Sequence, residues 1–207
     1  MPVIGLTGGI ASGKSLVSET LKELGAQVVD ADTVAREVVE SGSLGWKKVV
    51  ESFGDDILNP DETVNRKKLG QLVFANPKKL KLLNDITHPL ILDKINSEIK
   101  KYRDLDTQNV KVMVIDAPLL IETGLHRLAD EVWVVDIPEE MQVERLVQRD
   151  GMTREEAWSR INSQMPASEK KKLAQVIINN SGKIATTQKT VRDIWKRRFY
   201  EVRGGDF

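Results

Sequence analysis

Short apolar runs alternate with helical patterns along most of the chain. Val3-Ile4-Gly5-Leu6 is an apolar run without polar interruption, the pattern of a strand buried on both faces. Lys14–Leu24 then places Val17, Leu21 and Leu24 at helical spacing, and Gly25 follows as a C-cap. Gln27–Asp30 reads as a second strand with another helical stretch behind it. Residues 44–105 are mainly helical and are punctuated by Pro60, Pro77 and Pro89; there, Asn65-Arg66 opens an amphipathic stretch carrying Leu69, Leu72, Val73 and Phe74, and His88-Pro89 is read as the junction of two helices. Val110–Ile115, Glu131–Ile137 and Val176–Ile178 supply three more strands, and Thr190–Tyr200 a last helix. Strands separated by helices predict an α/β fold around a central parallel five-stranded sheet. Ligands of such sheets bind beyond the carboxyl ends of the strands. One site is therefore expected to gather Thr7–Ser15, Asp30–Asp32, Asp116–Glu122 and the stretch after Ile137.

Composition narrows the chemistry. The 207 residues include no cysteine and two histidines, which excludes disulfides, thiolate metal sites and cysteine nucleophiles. A 40% hydrophobic and 30% charged balance is that of a globular chain, not a disordered one. Thirty-one basic and 31 acidic side chains cancel, so bulk charge favours neither nucleic acid nor an anionic membrane. Trp46, Trp133, Trp158 and Trp195 are scattered as core or helix contacts, without a basic-aromatic platform. No apolar run approaches the roughly 20 residues of a membrane span. Pro2–Leu6 reads as a strand and not as a signal peptide, and the expected location is the cytoplasm.

Gly8-Gly9-Ile10-Ala11-Ser12-Gly13-Lys14-Ser15 fits G-x-x-x-x-G-K-[ST] between an apolar strand and an amphipathic helix. Glycines let the backbone curl so that N–H groups face phosphate oxygens, and the helix start adds its positive end. Lys14 would reach the β and γ phosphates and the Ser15 hydroxyl would bind Mg²⁺, a hard cation that prefers oxygen. Gly9, Ile10, Ala11, Ser12, Gly13, Lys14, Ser15 and Leu16 are thus the candidate nucleotide contacts, with leucine at 16 in place of a threonine hydroxyl.

Carboxylates stand where phosphoryl transfer needs them. Asp30 and Asp32 follow the second strand; either one caps the next helix or serves the reaction, and Asp32 is the better candidate for the group that takes the acceptor proton. Asp116 ends a strand and is a candidate for the magnesium shell, with a cap or turn as its other reading. Pro118-Leu119-Leu120 reads as one wall of an acceptor pocket or as core, and Glu122 as a pocket or a surface residue. Arg145 and Arg149, four apart on a helical stretch, share a face suited to phosphate. Arg154 and Lys170-Lys171-Lys172 read as solvated charge. Arg66 is an anion contact or a surface residue, His88 a cap or packed side chain before it is a catalyst, and the Asn179–Gly182 stretch either reads an adenine edge or makes a turn.

Taken together, the chain resembles the dephospho-coenzyme A kinase family over nearly its whole length. The resemblance is carried by Leu6–Ser15, Asp30-Ala31-Asp32 with Ala35-Arg36, Arg66 with Leu69, His88-Pro89, Asp116–Leu120 with Glu122, Arg145, Arg149-Asp150, Gln164 and Asn180-Ser181-Gly182. It implies a P-loop kinase three-layer fold with a helical acceptor-binding insertion, about 44–105, and a helical lid, about 139–173. It implies transfer of the ATP γ-phosphate to the ribose 3′-hydroxyl of dephospho-coenzyme A, with Mg²⁺, as the last step of coenzyme A synthesis. Asp32 is then the base, and Arg145 and Arg149 belong to the lid side of the site; Lys14 and Arg145 complete the candidate catalytic set. Asn180 lies beside the adenine; Arg66, His88, Pro118, Leu119, Leu120 and Glu122 line the acceptor side. Gln175 and Asn179 stand where relatives often carry aspartate, a departure expected on the adenine side. The expected partners are the two small-molecule substrates, with no nucleic acid or membrane, and the expected state is a monomer. Two other readings remain: another small-molecule kinase of the same fold, and a nucleotide-dependent switch. Against a guanine switch, the chain lacks an Asn-Lys-x-Asp motif.

Overall fold

The structure, a computed structural model, describes residues 1–104 and 112–200. It divides into two compact units, one of Met1–Val29 with the described residues from Tyr102 onward, the other of Asp30–Lys101.

The first unit holds β1 (Val3–Gly8), α1 (Lys14–Glu23) and the start of β2 (Gln27–Asp30). The second unit carries α2 (Ala31–Glu37), α3 (Leu44–Phe53), α4 (Arg66–Phe74) and most of α5 (Pro77–Arg103). The first unit resumes with β3 (Met113–Asp116), β4 (Glu131–Asp136), α6 (Glu139–Asp150), α7 (Arg154–Asn162), α8 (Ala167–Lys172), β5 (Val176–Asn179) and α9 (Ile184–Phe199). The expected start of the third strand at Val110 lies outside the described residues.

The sheet is parallel and five-stranded in the order β2-β3-β1-β4-β5. Its register sets Leu6 against Asp116, Gly8 against Val135 and Asp136 against Asn179, so the carboxyl ends of four strands come out at one edge. β1 and β3 are buried along their whole lengths, which explains their uninterrupted apolar runs. Ile4, Leu6, Val17, Leu21, Trp133, Val135, Ile178, Val191 and Trp195 form the main core, where α1 and α9 cover the sheet. Trp195 meets Phe199 edge to face at 4.8 Å. A second cluster, Val143, Leu146 and Ala157 with Ile10, Ala11, Met152 and Trp158, packs α6 and α7 against the turn after β1.

α1 ends as its sequence predicts: Gly25 has φ 93°, its N–H donates to Lys22 O, and the Ala26 N–H donates to Leu21 O. α9 starts six residues earlier than the apolar pattern indicates. The first member of its buried stripe Thr187-Val191-Trp195 is a threonine, which hides the period.

In the second unit, Ser43 caps α3 through the Trp46 N–H and Asn65 caps α4 through the Lys68 N–H. Leu58 and Val64 form an antiparallel bridge, and the Trp46 indole donates to Glu62 O at 2.8 Å. One expectation is corrected here. His88-Pro89 does not join two helices; α5 runs through it without a break. Proline deprives Asp85 O of its helical donor, but Pro89 is exposed, where water serves a bare carbonyl, and α5 continues on either side. Among the described residues no helix is long and apolar enough to cross a membrane.

Candidate active site

The turn between β1 and α1 is built on two left-handed backbone positions. Ala11 (φ 58°) and Gly13 (φ 84°) are left-handed, which curls the chain toward its own N–H groups. Gly13 is also required by space: a Cβ there would lie 2.0 Å from the Asn180 side-chain nitrogen. A Cβ on Gly8 would meet Val135 O at 2.7 Å, and one on Gly9 the Gln142 carboxamide at 2.8 Å. The Lys14 and Ser15 N–H groups open α1 without intrahelical acceptors and so point their dipoles at any anion seated in the curl. The Ser12 hydroxyl, at the same turn, is a buried polar oxygen without a partner. Ser15 is exposed at the helix start and Leu16 is half-buried.

Lys14 donates to the Asp116 carboxylate, which is buried at the end of β3. The motif lysine and the strand-end aspartate, 102 residues apart, are thus brought together in one unit.

The curl is held from three sides. Arg145 on α6 donates to Ala11 O at 3.2 Å and to Asn180 O at 2.9 Å. Asn180, after β5, donates through its amide nitrogen to Ser12 O at 2.7 Å and accepts at its amide oxygen from the Thr187 hydroxyl at 2.8 Å. Its backbone N–H donates to Asp136 O at 3.0 Å, so every polar atom of this buried residue has a partner. The Gln164 carboxamide accepts from the Ile10 N–H at 3.0 Å. Arg145 and Asn180, read from sequence as ligand contacts, are engaged on the loop's own carbonyls. Arg149 is mostly exposed and grips the adjacent Asp150 through two bonds of 2.7 and 2.9 Å. That hydrogen bond lowers the Asp150 carboxyl below its ordinary range and raises the Arg149 guanidinium.

The segment after β3 is tied at both ends. Pro118 O accepts from the Thr7 hydroxyl and from the Lys170 ammonium, each at 3.0 Å. Glu122 pairs with Lys170 at 2.9 Å and accepts from the Met165 N–H at 3.3 Å. Leu119 is exposed and Leu120 fully buried, so the apolar run splits between surface and core. Lys170 corrects the expectation of a solvated run: it is fully buried. Nothing in three consecutive lysines marks which one turns inward; the signal would have been an acidic partner, and Glu122 lies 48 positions away. Gln142, also buried, was likewise missed as an ordinary polar residue.

Asp30, Asp32, Arg66 and His88 fall in the second unit. Asp30 caps α2, accepting from the Asp32 N–H at 2.8 Å and the Thr33 N–H at 3.2 Å. Asp32 is exposed in the first turn of α2, Arg66 is exposed at the start of α4, and His88 is half-buried within α5.

Residues 2–186 match the family model described as dephospho-CoA kinase. A dephospho-CoA kinase of Carboxydothermus hydrogenoformans is 48% identical over 95% of this chain and 95% of its own length. Among solved structures, a dephospho-CoA kinase from Campylobacter jejuni is similar with a TM-score of 0.73 and 29% identity, covering 94% of this chain and 96% of that one. Shikimate kinase from Acinetobacter baumannii, at 16% identity and a TM-score of 0.53 over 95% of this chain and 92% of that one, shares the fold. With the curled loop, its lysine and the parallel sheet in place, the chain belongs to the dephospho-CoA kinase family.

Proposed function

We propose that the chain transfers the γ-phosphoryl group of ATP to the ribose 3′-hydroxyl of dephospho-coenzyme A, giving coenzyme A and ADP, the last step of coenzyme A synthesis. The observation that carries this is the left-handed curl at Ala11 and Gly13 opening onto α1 with Lys14 beside Asp116, in a chain of this family. The 3′-oxygen attacks the γ-phosphorus, the bond to the β–γ bridging oxygen breaks, and the hydroxyl proton passes to a carboxylate. In-line transfer of this kind is catalysed mainly by positioning and by neutralising charge.

The ATP contacts we assign are Gly9–Leu16 with Arg149 and Asn180. Backbone N–H groups of the curl hold the phosphates, Lys14 bridges to the γ-phosphate, and Asn180 keeps the curl open through Ser12 O. Arg145 acts on the transferred group from a side chain already anchored at Ala11 O. Asp32 is assigned the acceptor proton: its carboxylate is exposed just beyond the carboxyl end of β2, while Asp30 is spent on the cap. Arg66, His88, Pro118, Leu119, Leu120 and Glu122 are assigned to the acceptor. About 44–105 is then the acceptor-binding region and about 139–173 the lid.

Mg²⁺ fits the residues present. Ser15 and Asp116 are hard oxygen donors. Ser15 and Asp116 would hold it, and bound there it supplies positive charge to the β and γ oxygens. The partners are the two small molecules, the location the cytoplasm and the state a monomer.

The test is to incubate the protein with ATP, Mg²⁺ and dephospho-coenzyme A beside a panel of nucleosides and shikimate. A product heavier by one phosphate, formed with dephospho-coenzyme A in preference to the panel, is expected. Phosphorylation of another acceptor alone, or slow ATP hydrolysis with no phosphorylated alcohol, overturns the reading.

A further inference from the structure

A lysine that is fully buried needs a reason, because an ammonium taken out of water is costly unless it is paired and hydrogen-bonded. Lys170 has two acceptors, Pro118 O at 3.0 Å and Glu122 at 2.9 Å. Each is shared with a different part of the chain. Pro118 O also receives the hydroxyl of Thr7, the residue before Gly8 of the phosphate loop. Glu122 also receives the N–H of Met165, the neighbour of Gln164, whose carboxamide accepts from Ile10 of that same loop. The bonds form a closed circuit: Ile10, Gln164, Met165, Glu122, Lys170, Pro118, Thr7 and back to the loop. All members belong to one unit. Lys170 is the only cation in this circuit, and it touches the 118–122 segment at both ends.

We infer that Lys170 is a positioning residue that pins the Pro118–Glu122 segment to the phosphate loop and thereby sets how well the acceptor is bound. The inference rests on the assignment of that segment to the acceptor side. Lys170 does not meet the transferred group; it fixes the carbonyl of Pro118, two residues past Asp116, and the carboxylate of Glu122. With the ammonium removed, Thr7 alone holds Pro118, and Glu122 keeps only a 3.3 Å bond to a backbone N–H. Nucleotide contacts on the curl are held separately by Arg145 and Asn180, so the two substrates should respond differently.

The experiment compares wild type with Lys170→Met, Glu122→Gln and the double variant, varying ATP and dephospho-coenzyme A separately. Lys170→Met should raise the acceptor KM about tenfold or more and leave the ATP KM within about twofold. The double variant removes the stranded carboxylate charge, so it should melt closer to wild type than Lys170→Met while its acceptor KM stays raised. If KM recovers together with the melting temperature, or both KM values rise alike, Lys170 is only structural and the inference is overturned. If Lys170→Met does not fold, Glu122→Gln carries the test through hydrogen exchange and not through KM, because Glu122 is itself assigned to the acceptor. A substrate-free arm reads the clamp itself: hydrogen exchange of the Thr123, Gly124 and His126 amides, bonded to Leu119, Ile121 and Leu120 carbonyls. These should exchange about tenfold faster in Glu122→Gln or Lys170→Met, with the Leu16 amide unchanged. Unchanged exchange overturns the inference even if the wild type proves to use another acceptor, while faster exchange without dephospho-coenzyme A turnover in wild type sinks the acceptor assignment alone.

Discussion

Replacing Asn180 by alanine isolates the support of the phosphate loop from the loop itself. The change deletes the 2.7 Å bond to Ser12 O and the 2.8 Å bond from Thr187, and keeps the backbone bonds to Asp136 and Arg145. Each lost bond is worth about 1 kcal/mol net, and a buried group left without a partner costs about 1–3 kcal/mol. Asn180 is 4% exposed and Thr187 1%, so water does not easily replace what is lost. The sum is roughly 2–5 kcal/mol, which in a chain of this size lowers Tm by roughly 4–20 °C at about 2–4 °C per kcal/mol. Thr187→Val keeps the shape and removes only the hydroxyl, so it should cost about 1–3 kcal/mol. The double variant should cost less than the sum of the two, by about 1 kcal/mol, because the singles share a bond. The assays are urea unfolding of the variants and the KM for ATP, which should rise about tenfold in Asn180→Ala as the curl loosens. A loss of stability under about 1 kcal/mol with an unaltered ATP KM would refute the account of Asn180 as the loop's support.

Asp32→Asn should leave the melting temperature near wild type, since the side chain is exposed, while turnover falls by about 10²–10⁴; a folded variant with near-normal turnover sinks the base assignment. Asp150 should titrate below its ordinary 3.8 in the folded protein and return toward it in Arg149→Ala, as followed by carboxyl NMR. Because its folded pKa is depressed, its stabilisation is present above the unfolded pKa and fades as pH falls through the folded one. An Asp150 that titrates identically with and without Arg149 contradicts the observed pair.

What was legible in the sequence follows from how each feature is encoded. The phosphate loop is legible because backbone geometry dictates identity: only glycine suits φ 84° with Asn180 packed at that distance, and one lysine and one serine follow. The buried strands are legible because two apolar faces leave no polar interruption. α9 was truncated because Thr187 serves its stripe while hydrogen-bonding Asn180, two roles that one letter does not reveal. Pro89 read as a break since local propensity disfavours it inside a helix, yet α5 continues around it. The inward turn of Lys170 and the hold of Arg145 on the loop depend on carbonyls at Pro118, Ala11 and Asn180. Every residue carries such a carbonyl and only the fold decides which one is offered, so no pattern in the chain points to them.

The pairing of Lys14 with Asp116 has a consequence for nucleotide binding. One ammonium cannot neutralise the carboxylate and the γ-phosphate together, so under the proposed contact of Lys14 with the γ-phosphate a seated triphosphate would compete with Asp116 for it. The carboxylate, 8% exposed, is then left close to phosphate oxygens of the same sign. Under the proposed assignment of Mg²⁺ to Ser15 and Asp116, ATP without a divalent cation would meet a penalty that ATP with Mg²⁺ would not, since the cation would restore the balance of charge. Asp116→Asn removes the competing partner and the repulsion. A part-buried charge-assisted pair is worth about 1–2 kcal/mol, so the variant should bind metal-free ATP roughly 5–30-fold tighter than wild type. Its turnover with Mg²⁺ should nevertheless fall. Titration calorimetry in EDTA measures the first effect and product formation the second. Were Asp116→Asn to bind metal-free ATP no better than wild type, Lys14 would not be exchanging between carboxylate and phosphate, and the pair would be a structural contact alone.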